Sequence, residues 1–169
     1  MHVVVVIVLI GLCYKFKAFS KWRQFHATLL YIIACDLLYH YFCGGYPLWV
    51  YHPDSLMPMQ YGTDLIYTFF FLPLTALLFL VRFPPHENTF TKKLLYVLIW
   101  MGIYYAWEWT FFTFKRITYD NGWVLPWSIA FYAMMFPMLI IHHKKPLLAY
   151  PLSAAAIVFW IVLFKVPVQ

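Results

Sequence analysis

Six apolar runs, separated by short polar loops, fill most of this chain: residues 1–16, 25–42, 62–81, 94–114, 123–142 and 147–164. A helix needs about 20 residues to cross the hydrocarbon core of a bilayer, and most of the runs come close to that length. Lipid offers a backbone no hydrogen-bond partner, so only helices and closed barrels span it. The runs are continuous and do not alternate, which predicts helices. The chain is 64% hydrophobic and 11% charged, whereas a soluble domain is about 25% charged. A water-soluble core of this size could not hide so many apolar side chains. The expected fold is all-α: a single transmembrane domain over residues 1–169, a polytopic helix bundle of six spans. The count falls to five if the short first run does not cross, since it reaches full length only by snorkelling of Lys15 and Lys17.

Proline punctuates the runs. Pro47, Pro53, Pro58, Pro84, Pro85 and Pro146 fall in loops, and Pro126 falls near a helix start, where its missing N–H is harmless. Pro73 and Pro137 lie within runs and predict kinks. Cys13, Cys35 and Cys43 are odd in number and lack CxxC spacing, so neither a disulfide framework nor a metal site is indicated. Cys13 and Cys35 read as small packing residues. No positive segment or small-residue cleavage pattern frames the first run, so no cleavable signal is expected.

Basic residues set the expected orientation. Lys15, Lys17, Lys21 and Arg23 share the first loop, Arg82, Lys92 and Lys93 the third, and Lys144 and Lys145 the fifth. The even loops and the tail hold only Lys115, Arg116 and Lys165. Odd loops are therefore expected in the cytoplasm and both termini outside. The bilayer, with anionic headgroups, is the expected partner of Lys15, Lys17, Lys21, Trp22 and Arg23 and of Lys144 and Lys145 beside His142 and His143. Nucleic acid is excluded, because the basic residues form no long stripe.

On this orientation five of the six acidic residues fall on the outer side, and Glu87 alone faces the cytoplasm. Asp54 and Asp120 are in outer loops. Asp36, Asp64 and Glu108 interrupt apolar runs, each at roughly 2.5–3.5 kcal/mol on insertion scales. His40 follows Asp36 by one helical turn and shares its face. Lys115 follows Glu108 by about two turns, on roughly the same face, with Arg116 and Asn121 nearby. An outward-facing polar vestibule is expected, formed by Asp36, His40, Asp64 and Glu108, with Lys115, Arg116, Asp120 and Asn121 at its rim. It would bind or conduct a small polar or cationic solute. Alternatively the same charges only hold the helices in register. An intramembrane enzyme is the third reading, but no HExxH, GxSxG or phosphate loop is present, and Gly62-Thr63-Asp64 matches a protease motif poorly. No catalytic residue, metal or cofactor is expected. Trp107 and Trp109 flank Glu108 as packing or interface aromatics, and Asn121-Gly122 suits a tight turn, with Trp123 anchoring the fifth helix at the interface. With six short helices, a conduction path between protomers of a homo-oligomer is a further possibility.

Several strings carry a family resemblance: Asp36-Leu37-Leu38-Tyr39, Tyr46-Pro47-Leu48-Trp49, Ile117-Thr118-Tyr119-Asp120-Asn121-Gly122-Trp123, Met135-Phe136-Pro137 and His143-Lys144-Lys145-Pro146-Leu147-Leu148-Ala149. Together, from the second run to the sixth, they resemble a family of small multipass membrane proteins of endospore-forming bacteria. That resemblance implies a bacterial plasma membrane or spore membrane and a role linked to sporulation or germination. It brings no activity and no catalytic residues.

Overall fold

A computed structural model describes residues 1–85 and 89–167. Glu87, expected on the cytoplasmic side, lies outside the described residues. The described residues form six helices, α1 His2–Lys15, α2 Trp22–Cys43, α3 Gln60–Val81, α4 Phe90–Thr113, α5 Leu125–Lys144 and α6 Pro146–Phe164. Two short strands, β1 Trp49–Tyr51 and β2 Ile117–Tyr119, pair antiparallel with Trp49 opposite Tyr119 and Tyr51 opposite Ile117. The fold is thus all-α apart from this ribbon, which joins the α2–α3 connection to the α4–α5 connection.

Three helices, α3, α5 and α6, are long and apolar enough to cross a membrane. α1 and the stretch Ala18–Cys43 meet that standard only together, and they are bent by 72° where a 3₁₀ turn joins them. The 24-residue α4 does not meet it, because tyrosines, tryptophans, Glu108, Lys92 and Lys93 dilute its apolar side chains.

α3 is the centre of the bundle. Thr75 to Leu80 are buried without interruption, as expected of a helix covered on all sides. α1 and α2 pack on α3, α5 packs on α2, and α4 and α6 flank α5. Within α3, Tyr67–Phe71 forms a π-helical turn. Pro73 explains it: the ring has no N–H to give the Phe69 carbonyl and collides with it in a tight turn, and a wider turn removes the clash. Thr75 donates back to the Phe71 carbonyl (2.8 Å), and the Thr68 hydroxyl oxygen lies 3.0 Å from the Asp64 carbonyl around this turn. The other interior prolines, Pro137 and Pro151, are carried within continuous helices.

The two ends of the bundle differ. At one end the Arg82 guanidinium lies over Phe16 at 4.3 Å, Lys144 lies 5.8 Å from the Phe83 ring, and Phe25 packs on His143. The other end holds the ribbon, the Met1 amino group on Asp54, and a cluster of Leu48, Trp123, Phe164 and Val166. Trp123 is therefore not an interface anchor. It is 4% exposed, packs on Trp49, Trp160 and Phe164, and donates its indole N–H to Ser128 (3.2 Å). Asn121 (φ 50°) and Gly122 (φ 85°) turn the chain there as expected.

Candidate functional site

A cavity of about 210 Å³ lies among α2, α3, α4, α5 and α6, under the ribbon. Half of its wall residues are aromatic or thioether side chains, among them Tyr39, Trp49, Phe131, Trp160, Met135 and Met138. Two carboxylates reach it, Asp36 from α2 and Glu108 from α4. Tyr51 of β1 also lines it and feels both charges. α2 and α6 hardly touch along their length. A hydrogen bond between Tyr31 and Ser153 (2.7 Å) ties them together at one edge of the cavity.

Glu108 is 3% exposed and held by three hydroxyls. Tyr119 (2.9 Å) and Ser128 (2.7 Å) donate to Oε1, and Tyr132 donates to Oε2. These donors come from β2 and α5, so the carboxylate joins three elements. Burial, then the Glu108 charge, pushes the Tyr119 hydroxyl well above its usual range. Tyr119 therefore remains a proton donor across the physiological range.

Asp36 has a different shell. Thr68 donates to its Oδ2 at 2.6 Å, and the His40 Nε2 lies 3.5 Å from the same oxygen. The one-turn spacing read from sequence is thus a real contact. Asp64 is close enough to interact electrostatically with both Asp36 and His40. Its direct partner is Gln60, at 3.4 Å. Asp36, His40 and Asp64 therefore gather where α2 meets α3, but neither His40 nor Asp64 lines the cavity.

The expected rim does not form around Glu108. α4 ends at Thr113, and Lys115 turns away with φ 55°, exposed to the surroundings. The two-turn spacing fails because the helix stops between the two residues. Arg116 instead donates from Nη1 to the Pro53 carbonyl (2.9 Å) and lies near His2. Asp120 and Asn121 build the turn: the Asp120 carboxylate accepts the Asn121 N–H (2.8 Å), and the Asn121 amide donates to the Pro47 carbonyl (2.7 Å). Lys15, Lys17, Lys21, Trp22, Arg23, Lys144 and Lys145 are all exposed.

Sequence reasoning missed Tyr119, Ser128 and Tyr132. Ser128 and Tyr132 stand one helical turn apart in an apolar run, a spacing that puts both hydroxyls on one face. It also missed the cluster at Asp54, where the carboxylate accepts from the backbone of His2 (3.2 Å), Leu56 (3.0 Å) and Met57 (3.0 Å) as well as from the Met1 amino group. Burial alone would raise this carboxyl, but those donors bring it down to about 2. Trp107, between the cavity and α1, has a buried indole N–H without an acceptor among the described residues. No group of three His, Cys, Asp or Glu side chains among the described residues has metal-holding geometry.

Searches against protein families, curated proteins and solved structures find no match.

Proposed function

We propose that this chain is a six-span integral membrane protein that binds a small organic cation in the cavity bearing Asp36 and Glu108. The observation that carries this reading is the pairing of two intramembrane carboxylates on one aromatic-walled cavity. Aromatic faces attract a cation within about 6 Å, by about 2 kcal/mol or more once it is desolvated. A carboxylate supplies the charge and orientation, as the few polar groups of an apolar pocket do. A hydrated metal ion would find too few oxygens on these walls, so the solute is organic. The odd loops face the cytoplasm and both termini face outward, which puts the ribbon and the carboxylates on the outer half. The resemblance to proteins of endospore formers supports a bacterial plasma or spore membrane and a role in sporulation or germination.

Titration of the detergent-purified protein with tetraethylammonium and benzylamine, followed by calorimetry, tests the proposal. Binding is expected, and Asp36→Asn should weaken it at least tenfold without changing the far-UV spectrum. Absence of binding to either amine, or an Asp36→Asn protein that binds as well as the wild type, overturns it.

A second reading has its own support. All three donors to Glu108 belong to the protein itself, which is what a carboxylate that only fixes helix packing would show. In that case Glu108→Ala would lower stability or assembly while leaving amine binding at Asp36 intact.

A further inference from the structure

A second cavity, of about 350 Å³, lies between α1, α3 and α4 on the other side of α3. We propose that this groove holds one acyl chain of an anionic phospholipid, with the phosphate on Arg82. Three walls of matched length define it. Val5 to Phe16 along α1 and its C-cap, Phe71 to Arg82 along α3 and its C-cap, and Tyr96 to Trp107 on α4 each contribute side chains at i, i+4, i+7 and i+11. At 1.5 Å per residue each stripe is about 16 Å long. That is half of a roughly 30 Å hydrocarbon core, the depth of a single leaflet. α1 and α4 do not pack closely on one another, so the groove opens sideways between them, where a lipid can enter.

The charge in the groove lies at one end. Its lining is apolar or aromatic apart from the Thr75 hydroxyl, which is bonded inside the bundle, and Arg82. Arg82 is exposed, and its guanidinium carbon lies 4.3 Å from the centre of the Phe16 ring. A guanidinium placed over an aromatic ring still presents N–H groups that suit a bidentate phosphate. Lys15 lies 5.9 Å from the same ring and adds a second positive charge at the mouth. An apolar slot one leaflet deep, with a fork-shaped cation at its mouth, matches an anionic lipid in chain and headgroup alike.

This inference rests on the membrane placement proposed above and is independent of the amine cavity. Membrane placement is checked by itself, through resistance of the protein to carbonate extraction from membranes. The lipid site is read by native mass spectrometry of the detergent-purified chain with equal phosphatidylglycerol and phosphatidylcholine of identical acyl chains. The wild type should retain phosphatidylglycerol about tenfold over phosphatidylcholine, and Arg82→Gln should bring the ratio near one. Ile103→Trp, at a residue 53% exposed that lines the groove, should reduce retention of both lipids. Lys165→Gln, at the opposite end, should change nothing. A wild type without headgroup preference, an Arg82→Gln protein that keeps the preference, or a folded Ile103→Trp protein that retains both lipids as before overturns the inference, even where the protein resists extraction.

Discussion

Replacing Glu108 separates its charge from its packing. In Glu108→Ala the hydroxyls of Tyr119, Ser128 and Tyr132 lose their shared acceptor. Side-chain hydrogen bonds inside a membrane protein average about 0.6 kcal/mol and reach about 1.7. Three of them put the loss at about 2–5 kcal/mol, with the emptied volume pushing toward the upper part of that range. Glu108→Gln keeps the shape and one carbonyl oxygen, which still accepts from Tyr119 and Ser128. The amide then donates to the Tyr132 oxygen, which can accept as well as donate. This variant should lose under about 1 kcal/mol. Reversible unfolding in mixed micelles, followed by tryptophan fluorescence, measures both. Equal losses for Ala and Gln, or a loss below about 1 kcal/mol for Ala, would refute the hydroxyl cage as a stabilising device.

Three further outcomes are expected. Tyr39→Phe should cost about 1–3 kcal/mol and speed hydrogen exchange at Leu48 and Trp49, whose N–H groups now donate to the Tyr39 hydroxyl at 3.1 and 3.2 Å; unchanged exchange would count against it. Gly122→Ala should lose about 1 kcal/mol in thermal unfolding, because φ 85° strains a β-carbon, while the added carbon meets only Phe164 at 4.0 Å. Asp54 has a carboxyl held below its usual 3.8, at about 2, so its contribution is complete above about pH 4 and fades as pH falls toward 2. The melting temperature should drop across that window, and Asp54→Asn should flatten the drop.

The helices were legible because each apolar run is continuous and bounded by proline or charge. Pro126 and Pro146 mark the starts of α5 and α6 within a residue or two. The one-turn pair Asp36 and His40 was readable for the same local reason. The partners of Glu108 were not. Lys115 looked suitable only if α4 ran on past Thr113, and nothing in the local pattern shows that the chain reverses there. Tyr119 reaches Glu108 because β2 pairs with a strand from a distant loop, and a three-residue strand has too little pattern to announce its partner. Trp123 illustrates the same limit from the opposite direction. Its position at a run's end suggests a wet, amphipathic belt, but Trp49 from β1 and Trp160 and Phe164 from α6 converge on it.

The ribbon bears on the order in which the chain can be completed during synthesis. β1 emerges with the α2–α3 connection and has no strand to pair with until α4 has been made and β2 follows it. Until then its N–H and C=O groups stand as an open edge, the kind of edge that templates pairing with another chain. β1 is only three residues long, and Tyr39 occupies the N–H groups of Leu48 and Trp49 through its hydroxyl. Tyr39, on the already synthesised α2, thus holds N–H groups that β2 never takes, while the Leu48 carbonyl and the His52 N–H, which bond Asp120 and Arg116 beside β2, stay open until the second half of the chain arrives.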